Sequence, residues 1–310
     1  MNSKHRITRY MKQHERATRP QIAAALGLSL VSTNAAVAAL VQDGVLQEGA
    51  QIPSGGGRPV REYHFNPRHG AVALFTATQE AHCTLIHLEL LDLQGKKQEA
   101  HEARFVQLHA ESLDEWLDAA ARRHKLQRIC LPPGLNSSIL HHLQQRHACP
   151  VREYSAAESL VNGQNDTLTL LLMRGQAPQG ALCRHGHVTP CPLLQHLPLP
   201  AEWESLDYAD HTLVEEMLAR LLQLLTCTLS PAHIELHADF WNDRLISRLN
   251  FNLSTKLRDV PAPPQLNFAT ITNQKLTEAI RKGATYAPAE AKADAEYCKH
   301  PQHTEIRKIR

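Results

Sequence analysis

Apolar residues recur at helical spacing through two neighbouring stretches near the start of the chain, separated by one glycine-containing break. The first, Arg19-Pro20-Gln21-Ile22-Ala23-Ala24-Ala25-Leu26, has Pro in its first turn, where a missing N–H costs little. Gly27-Leu28-Ser29 follows. Gly27 suits a tight turn, and Ser29 is placed to cap the next helix by accepting a backbone N–H. The spacing predicts that helix from about Leu30 to Gln42, with Val37, Leu40 and Val41 as its inward stripe and Asp43-Gly44 as its stop. Residues 45–48 and 62–65 then read as short strands on either side of Ser54-Gly55-Gly56-Gly57-Arg58-Pro59, a glycine-arginine wing.

Asn66-Pro67-Arg68-His69-Gly70 reads as a hinge, and beyond it the pattern becomes α/β. Residues 71–78, 82–91 and 97–105 read as three strands, 112–124 as an amphipathic helix, 128–131 as a short buried strand and 137–146 as a helix. A strand at 151–154 leads to a helix at 156–161. A second series starts at Thr167, with strands at 167–173 and 179–184 and a proline-rich loop at 190–200. The longest helix follows at 212–229, then a strand at 233–237, a helix at 241–251, a second proline loop at 261–264 and a late helix at 275–286. The order β-β-β-α-β-α, begun twice, predicts two similar lobes of an actin-like or RNase H-like fold. Three domains follow: 1–66, a winged helix-turn-helix; 67–165, a first α/β lobe; and 166–310, a second lobe with a dimerisation surface.

Charge sharpens this picture. Through Gly70 nine Lys or Arg stand against four acids, a net of +5. The whole chain is +2, which leaves −3 for the remainder. A basic head on a slightly acidic body is the electrostatic footprint of a nucleic-acid-binding module. A helix offset from its predecessor by a short turn can lie in a major groove, and its leading residues Val31, Ser32, Thr33, Asn34 and Ala35 include small groups that allow close approach. Asn34 can pair bidentately with adenine, and Ser32 or Thr33 can reach a base or a phosphate. Gly56 and Gly57 let the wing backbone approach a duplex, and Arg58 can enter a narrow minor groove. The expected partner is therefore double-stranded DNA, bound by a homodimer whose two-fold symmetry matches palindromic half-sites.

Seven cysteines, none in a CxxC pair, argue against a disulfide framework and for a reducing compartment. No apolar run follows the basic N-terminal residues, and no stretch is long enough to span a bilayer, so a cytoplasmic protein is expected, with no membrane partner. One cluster has metal-like chemistry: Cys183, His185 and His187, with Cys191 four residues on. If 183–187 is extended, the first three share a face, and two thiolates with two imidazoles suit tetrahedral Zn²⁺. A metal-free segment is the competing reading, and no other cofactor is indicated. Met217, Leu218, Leu221, Leu222 and Leu225 form a helical stripe expected in a core or a dimer interface. His141, His142 and His147 read as solvated.

The run Leu28-Ser29-Leu30-Val31-Ser32-Thr33-Asn34-Ala35-Ala36-Val37-Ala38-Ala39-Leu40, then Asp43-Gly44-Val45-Leu46-Gln47-Glu48, then Ser54-Gly55-Gly56-Gly57-Arg58-Pro59, resembles the N-terminal domain of ROK-family transcriptional repressors. That family combines sugar-responsive repressors with sugar kinases. In the body, Leu91-Asp92-Leu93-Gln94-Gly95, Leu131-Pro132-Pro133-Gly134, Gly186-His187 and Leu229-Ser230-Pro231-Ala232-His233-Ile234 resemble family segments more faintly. The resemblance implies a ROK-type body and a sugar or other small molecule as effector. The departures imply lost catalysis. The family's Asp-x-Gly-Gly-Thr phosphate loop, whose amides cradle phosphate, corresponds to Phe75-Thr76-Ala77-Thr78-Gln79-Glu80. Its catalytic Asn-Asp pair falls on Tyr154 and Ser155, its sugar-binding Glu on Arg184, and its Cys-x-Cys-Gly-x-x-Gly-Cys zinc motif is absent. The expectation is a non-enzymatic regulator, a repressor with a degenerate ROK body. A sugar kinase with a DNA-binding appendage and a protein-binding scaffold are the alternatives.

Overall fold

The structure, a computed structural model, describes residues 2–285 apart from 55–56, 81, 175, 177, 192–193, 195–207 and 209. The head opens with α1 (Ser3–His14), which buries only Ile7 and Met11, one turn apart. With two buried apolar side chains in twelve residues, this helix carries little periodicity and lies outside the elements that the sequence pattern predicts. β1 (Arg16–Thr18) follows, then α2 (Arg19–Leu26), α3 (Leu30–Gln42), β2 (Leu46–Ser54) and β3 (Gly57–Phe65). The strands form an antiparallel sheet in the order β1-β3-β2. Ile7, Met11, Ile22, Val37, Leu40, Leu46, Tyr63 and Phe65 close the core between helices and sheet. β2 and β3 run further than the expected 45–48 and 62–65, because cross-strand pairing of Gln51 with Arg61 and Ile52 with Val60 carries the ladder into polar sequence.

The expected hinge is a 3₁₀ turn, Pro67–His69, held at several points. The Asn66 side-chain amide donates to the Gly44 carbonyl at 2.8 Å, while its oxygen accepts the Arg68 N–H at 3.2 Å. Leu93 donates its N–H to the Pro67 carbonyl at 3.0 Å and packs on the head core. Accordingly the chain divides into two compact units: one runs to Cys130 and includes Ser138–Val151, and the other comprises Leu131–Ser137 and the chain from Arg152 on.

After the head come β4 (Ala71–Gln79), β5 (Thr84–Asp92), β6 (Lys97–Phe105), α4 (Ala110–Ala121), β7 (Leu126–Leu131), α5 (Ser137–Arg146) and β8 (Val151–Glu153). Their sheet has the order β6-β5-β4-β7-β8, with β4 antiparallel to β5 and parallel to β7. A 3₁₀ turn at Ala156–Leu160 precedes the second series. That series comprises β9 (Thr167–Leu172), β10 (Gln179–Arg184), β11 (His187–Pro190), α6 (His211–Leu229), β12 (His233–Ala238), α7 (Asp243–Lys256), β13 (Gln265–Thr270) and α8 (Asn273–Thr285). Its sheet has the order β11-β10-β9-β12-β13, the same relative order as the first. The second proline loop, 261–264, leads straight into β13, a strand that was not predicted.

Strand alternation divides the second sheet between two cores. Leu168, Leu170, Leu172, Ile234, Leu236 and Ala238 face α6 and α7, where they meet Leu218, Leu221, Leu222, Leu225, Leu245 and Leu249. The leucine stripe of α6 is therefore core. On the opposite face Leu171 and Ala181 pack with Ala157, Ile271 and Leu276. The fold class is α/β: a winged helix-turn-helix followed by two lobes of RNase H-like strand order.

Candidate nucleic-acid interface

The turn between α2 and α3 is built as its sequence dictates. Thr18 caps α2 with a capping box to Gln21, and Pro20 sits in the first turn. Gly27 ends it in the left-handed region at φ 60°, with nothing within 4 Å of the Cβ a larger residue would add. Ser29 caps α3, its Oγ accepting the Ser32 N–H at 3.1 Å. The two helices are bent 119° from one another, within the range of helix-turn-helix pairs.

α3 buries Thr33, Ala36, Val37 and Leu40 and leaves Val41 half-buried. Its other face presents Val31, Ser32, Asn34, Ala35 and Ala38 to solvent, with Ser29 exposed just before. Thr33 is the correction to the expected readout set. It is 0% exposed, pointing into the head, because it lies one turn before Ala36 and Val37 on the inward stripe. A residue there cannot touch a base. Gly57 and Arg58 lie at the start of β3. Gly56 lies outside the described residues, as does the Arg58 side chain.

Two further side chains, Arg19 and Arg61, lie beside the expected contact set. A groove of about 290 Å³ is lined by Arg19, Pro20, Leu30, Asn34, Val60, Arg61 and Tyr63. It joins the exposed start of α3 to the wing strand β3. Arg19 lies over the Tyr63 ring, 5.0 Å from its centroid, and its Nε is buried without a hydrogen-bond partner among the described residues. Arg61 pairs with Glu48 across the hairpin. Three of the head's four acids are engaged within it, Asp43 with Lys4 at 3.0 Å, Glu48 with Arg61, and Glu62 with His64 at 3.2 Å. None of the three head helices has an acid in its first turn, so their positive dipole ends are not neutralised locally.

The expected metal cluster does not assemble. Residues 183–187 are not extended: a two-residue turn at His185, φ 52°, and Gly186, φ 72°, folds β11 back on β10, so that Arg184 pairs with His187. Cys183 is buried on the Ala181 face of β10, whereas Cys191 packs beside Gly180 in the core on the other face. His185 and His187 are exposed. The reading of Cys183, His185, His187 and Cys191 as one tetrahedral set is thus overturned by alternation of side chains along the strand.

The body positions that depart from kinase-type motifs have structural occupations. Phe75 to Thr78 lie within β4, and the turn after it holds Glu80. Arg104 pairs with Glu80 at 2.9 Å and the Cys83 thiol donates to it at 3.2 Å, which together hold its carboxyl below the usual range. Ser155 caps the 3₁₀ turn. Its N–H donates to Glu158 at 2.7 Å, and its hydroxyl contacts Gln179 Oε1 at 3.2 Å and the Ala157 N–H at 3.3 Å. Tyr154 is buried beneath the Arg152 guanidinium. Arg184 pairs with Asp166 at 3.1 Å and donates to the Leu229 carbonyl at the end of α6, a favourable place for a cation. Two of the histidines read as solvated are not: His142 on α5 and His147, just past its end, contact the buried Asp114 carboxylate at 2.7 and 3.1 Å, alongside Arg146 at 3.1 Å.

A winged helix-turn-helix ahead of two lobes of like strand order is an architecture shared by a solved protein. The chain is similar to a ROK family transcriptional regulator, a homolog of the E. coli MLC protein, at 10% identity and a TM-score of 0.56, with 94% of this chain and 97% of that one covered. A ROK family protein from Streptococcus pneumoniae TIGR4 in complex with sucrose is also similar (12% identity, TM-score 0.44, 72% and 99% covered). So is a ROK hexokinase from Thermus thermophilus (14% identity, TM-score 0.40, 69% and 97% covered). No protein-family model and no curated protein matches the sequence. The likeness to the regulator is one of fold. Among the described residues no single helix is long and apolar enough to cross a membrane.

Proposed function

We propose that this chain is a sequence-specific DNA-binding transcriptional regulator, a repressor, that works as a homodimer. The observation that carries the reading is the exposed face of α3, where Val31, Ser32, Asn34 and Ala35 stand clear of the head beyond a capped turn. A rigid helix presenting small and amide side chains can enter a major groove and read base edges. Gly56, Gly57 and Arg58 of the wing would approach the adjacent minor groove. Arg19 and Arg61, at the groove between α3 and the wing, would neutralise phosphates, which fix register without reading sequence.

The body would serve dimerisation and the sensing of a small-molecule effector, a sugar by family resemblance. A ligand that favours one body conformation would misplace the paired heads. The reading of the body as non-catalytic is supported by Glu80, a carboxylate in the turn where a phosphate would be cradled, and by Ser155, whose hydroxyl serves a cap rather than a proton transfer.

Selection of duplexes from a random pool by the purified full-length protein tests the reading. A palindromic motif whose affinity falls steeply with salt is expected, since phosphate contacts release counterions. A folded protein that recovers no motif would overturn it, and sugar-dependent ATP turnover by the pure protein would overturn the non-catalytic assignment.

A further inference from the structure

The first turn of α3 carries an apolar pair in open solvent. Val31 is 80% exposed and Leu30 54%, although the same helix buries Val37 and Leu40. Valine is a poor helix former, so the helix itself gains nothing from Val31 at a surface position. Val31, Asn34, Ala35 and Ala38 follow one another at i, i+3, i+4 and i+7, all exposed, and therefore share a face. Leu30 and Asn34 also line the groove toward β3, together with Val60. The face is uncharged, yet it belongs to a head of net charge +5. A partner that satisfies both facts is strongly anionic overall and apolar at the point of closest approach.

Duplex DNA has one such feature in its major groove, the C5-methyl group of thymine. The Asn34 amide has one donor group and one acceptor, which match adenine N7 and N6. Every adenine brings a thymine on the opposite strand. We propose that Val31 reads a thymine C5-methyl next to the adenine paired by Asn34, with Ala35 widening the apolar contact, so that the centre of each half-site is made of A·T pairs. The inference rests on the DNA-binding reading above and adds the identity of the bases and the residue that discriminates them.

The test starts from a site selected by the full-length protein, in which each thymine is replaced singly by uracil, which lacks only the methyl. Affinity is read by fluorescence anisotropy. One thymine per half-site should weaken binding about four-fold when demethylated, the value of one buried methyl-sized group. Val31→Ala should shrink the difference between the thymine and uracil sites and Val31→Ser should abolish it, both with unchanged salt dependence. Val31 is too exposed for either change to unfold the head. If uracil is tolerated at every position, or if the penalty persists in both variants, the assignment of Val31 falls while the DNA-binding reading stands. If no site can be selected at all, both fall.

Discussion

Ser29 and Ser32 hold each other at the start of α3: the Ser32 N–H donates to Ser29 Oγ at 3.1 Å, and the two hydroxyl oxygens lie 2.9 Å apart. One residue both caps the helix and orients a neighbouring hydroxyl on its exposed face. Ser29→Ala should therefore cost about 1 kcal/mol of stability, as N-cap losses do, and weaken DNA binding by more than Ser32→Ala. Urea unfolding and anisotropy on the same variants check both halves. Equal binding by the two variants would detach the cap from recognition.

Thr33 offers a contrary test. Its hydroxyl is buried with no hydrogen-bond partner among the described residues, and an unsatisfied buried hydroxyl is costly. Thr33→Val should raise stability by about 1 kcal/mol and leave DNA selectivity intact, whereas Asn34→Ala should lose about 1–3 kcal/mol of base discrimination. A loss of selectivity in Thr33→Val would restore it to the readout set.

Gly27 isolates a backbone effect. At φ 60° with open space around it, a larger side chain meets no clash and only conformational strain. Gly27→Ala should destabilise the protein by about 1–2 kcal/mol, and Gly27→Asn by less, because Asn tolerates the left-handed region. A thermal melt distinguishes them.

Asp114 is pushed up by burial, but hydrogen bonds from His142 and His147 and the charge of Arg146 outweigh this and hold its carboxyl below the ordinary 3.8. Its contribution is thus full above about pH 4 and disappears as pH falls through the lowered folded-state value. Asp114→Ala should cost about 2 kcal/mol near neutrality, with the deficit shrinking in acid. Urea midpoints at about pH 6 and about pH 3 measure it.

His237 works in another window. Burial alone holds it below the ordinary 6.5, so the unfolded chain takes up the proton first as pH falls. Stability linked to His237 is complete above 6.5 and declines below it toward the folded-state value. Neighbouring Glu235 acts in the opposite sense, because burial raises its carboxyl above 4.5 and the folded state keeps the proton longer. His237→Gln should therefore flatten the fall in melting temperature between about pH 7 and about pH 5.5. An unaltered profile would remove His237 from the acid response.

Elements that satisfy their own chemistry are legible from local sequence. α3 begins and ends as read because Ser29 can cap it and Asp43-Gly44 stop it, and β6, α5 and β10 run as their patterns predict. The first β-β-β-α-β-α series was legible from its turns and from alternation, even in the largely polar β6, whereas in the second series β11 fell outside the expected strands. Of the expected leading residues of α3, Val31, Ser32, Asn34 and Ala35 are exposed.

Elements and contacts that depend on distant partners were not legible. α1 exists because Ile7 and Met11 find the head core, which no local periodicity announces. Thr33 counts as polar on the page but lies on the inward face, and the hairpin turn at His185-Gly186 separated cysteines that spacing alone brought together. Asp114 draws in His142 and His147 from 28 and 33 residues away, and Arg19 and Arg61 meet a common groove only once β3 is paired into its sheet. Local structure follows from caps, turns and period because those forces act within a few residues. Which face is buried, and which side chains meet there, is set by packing between segments far apart in the chain.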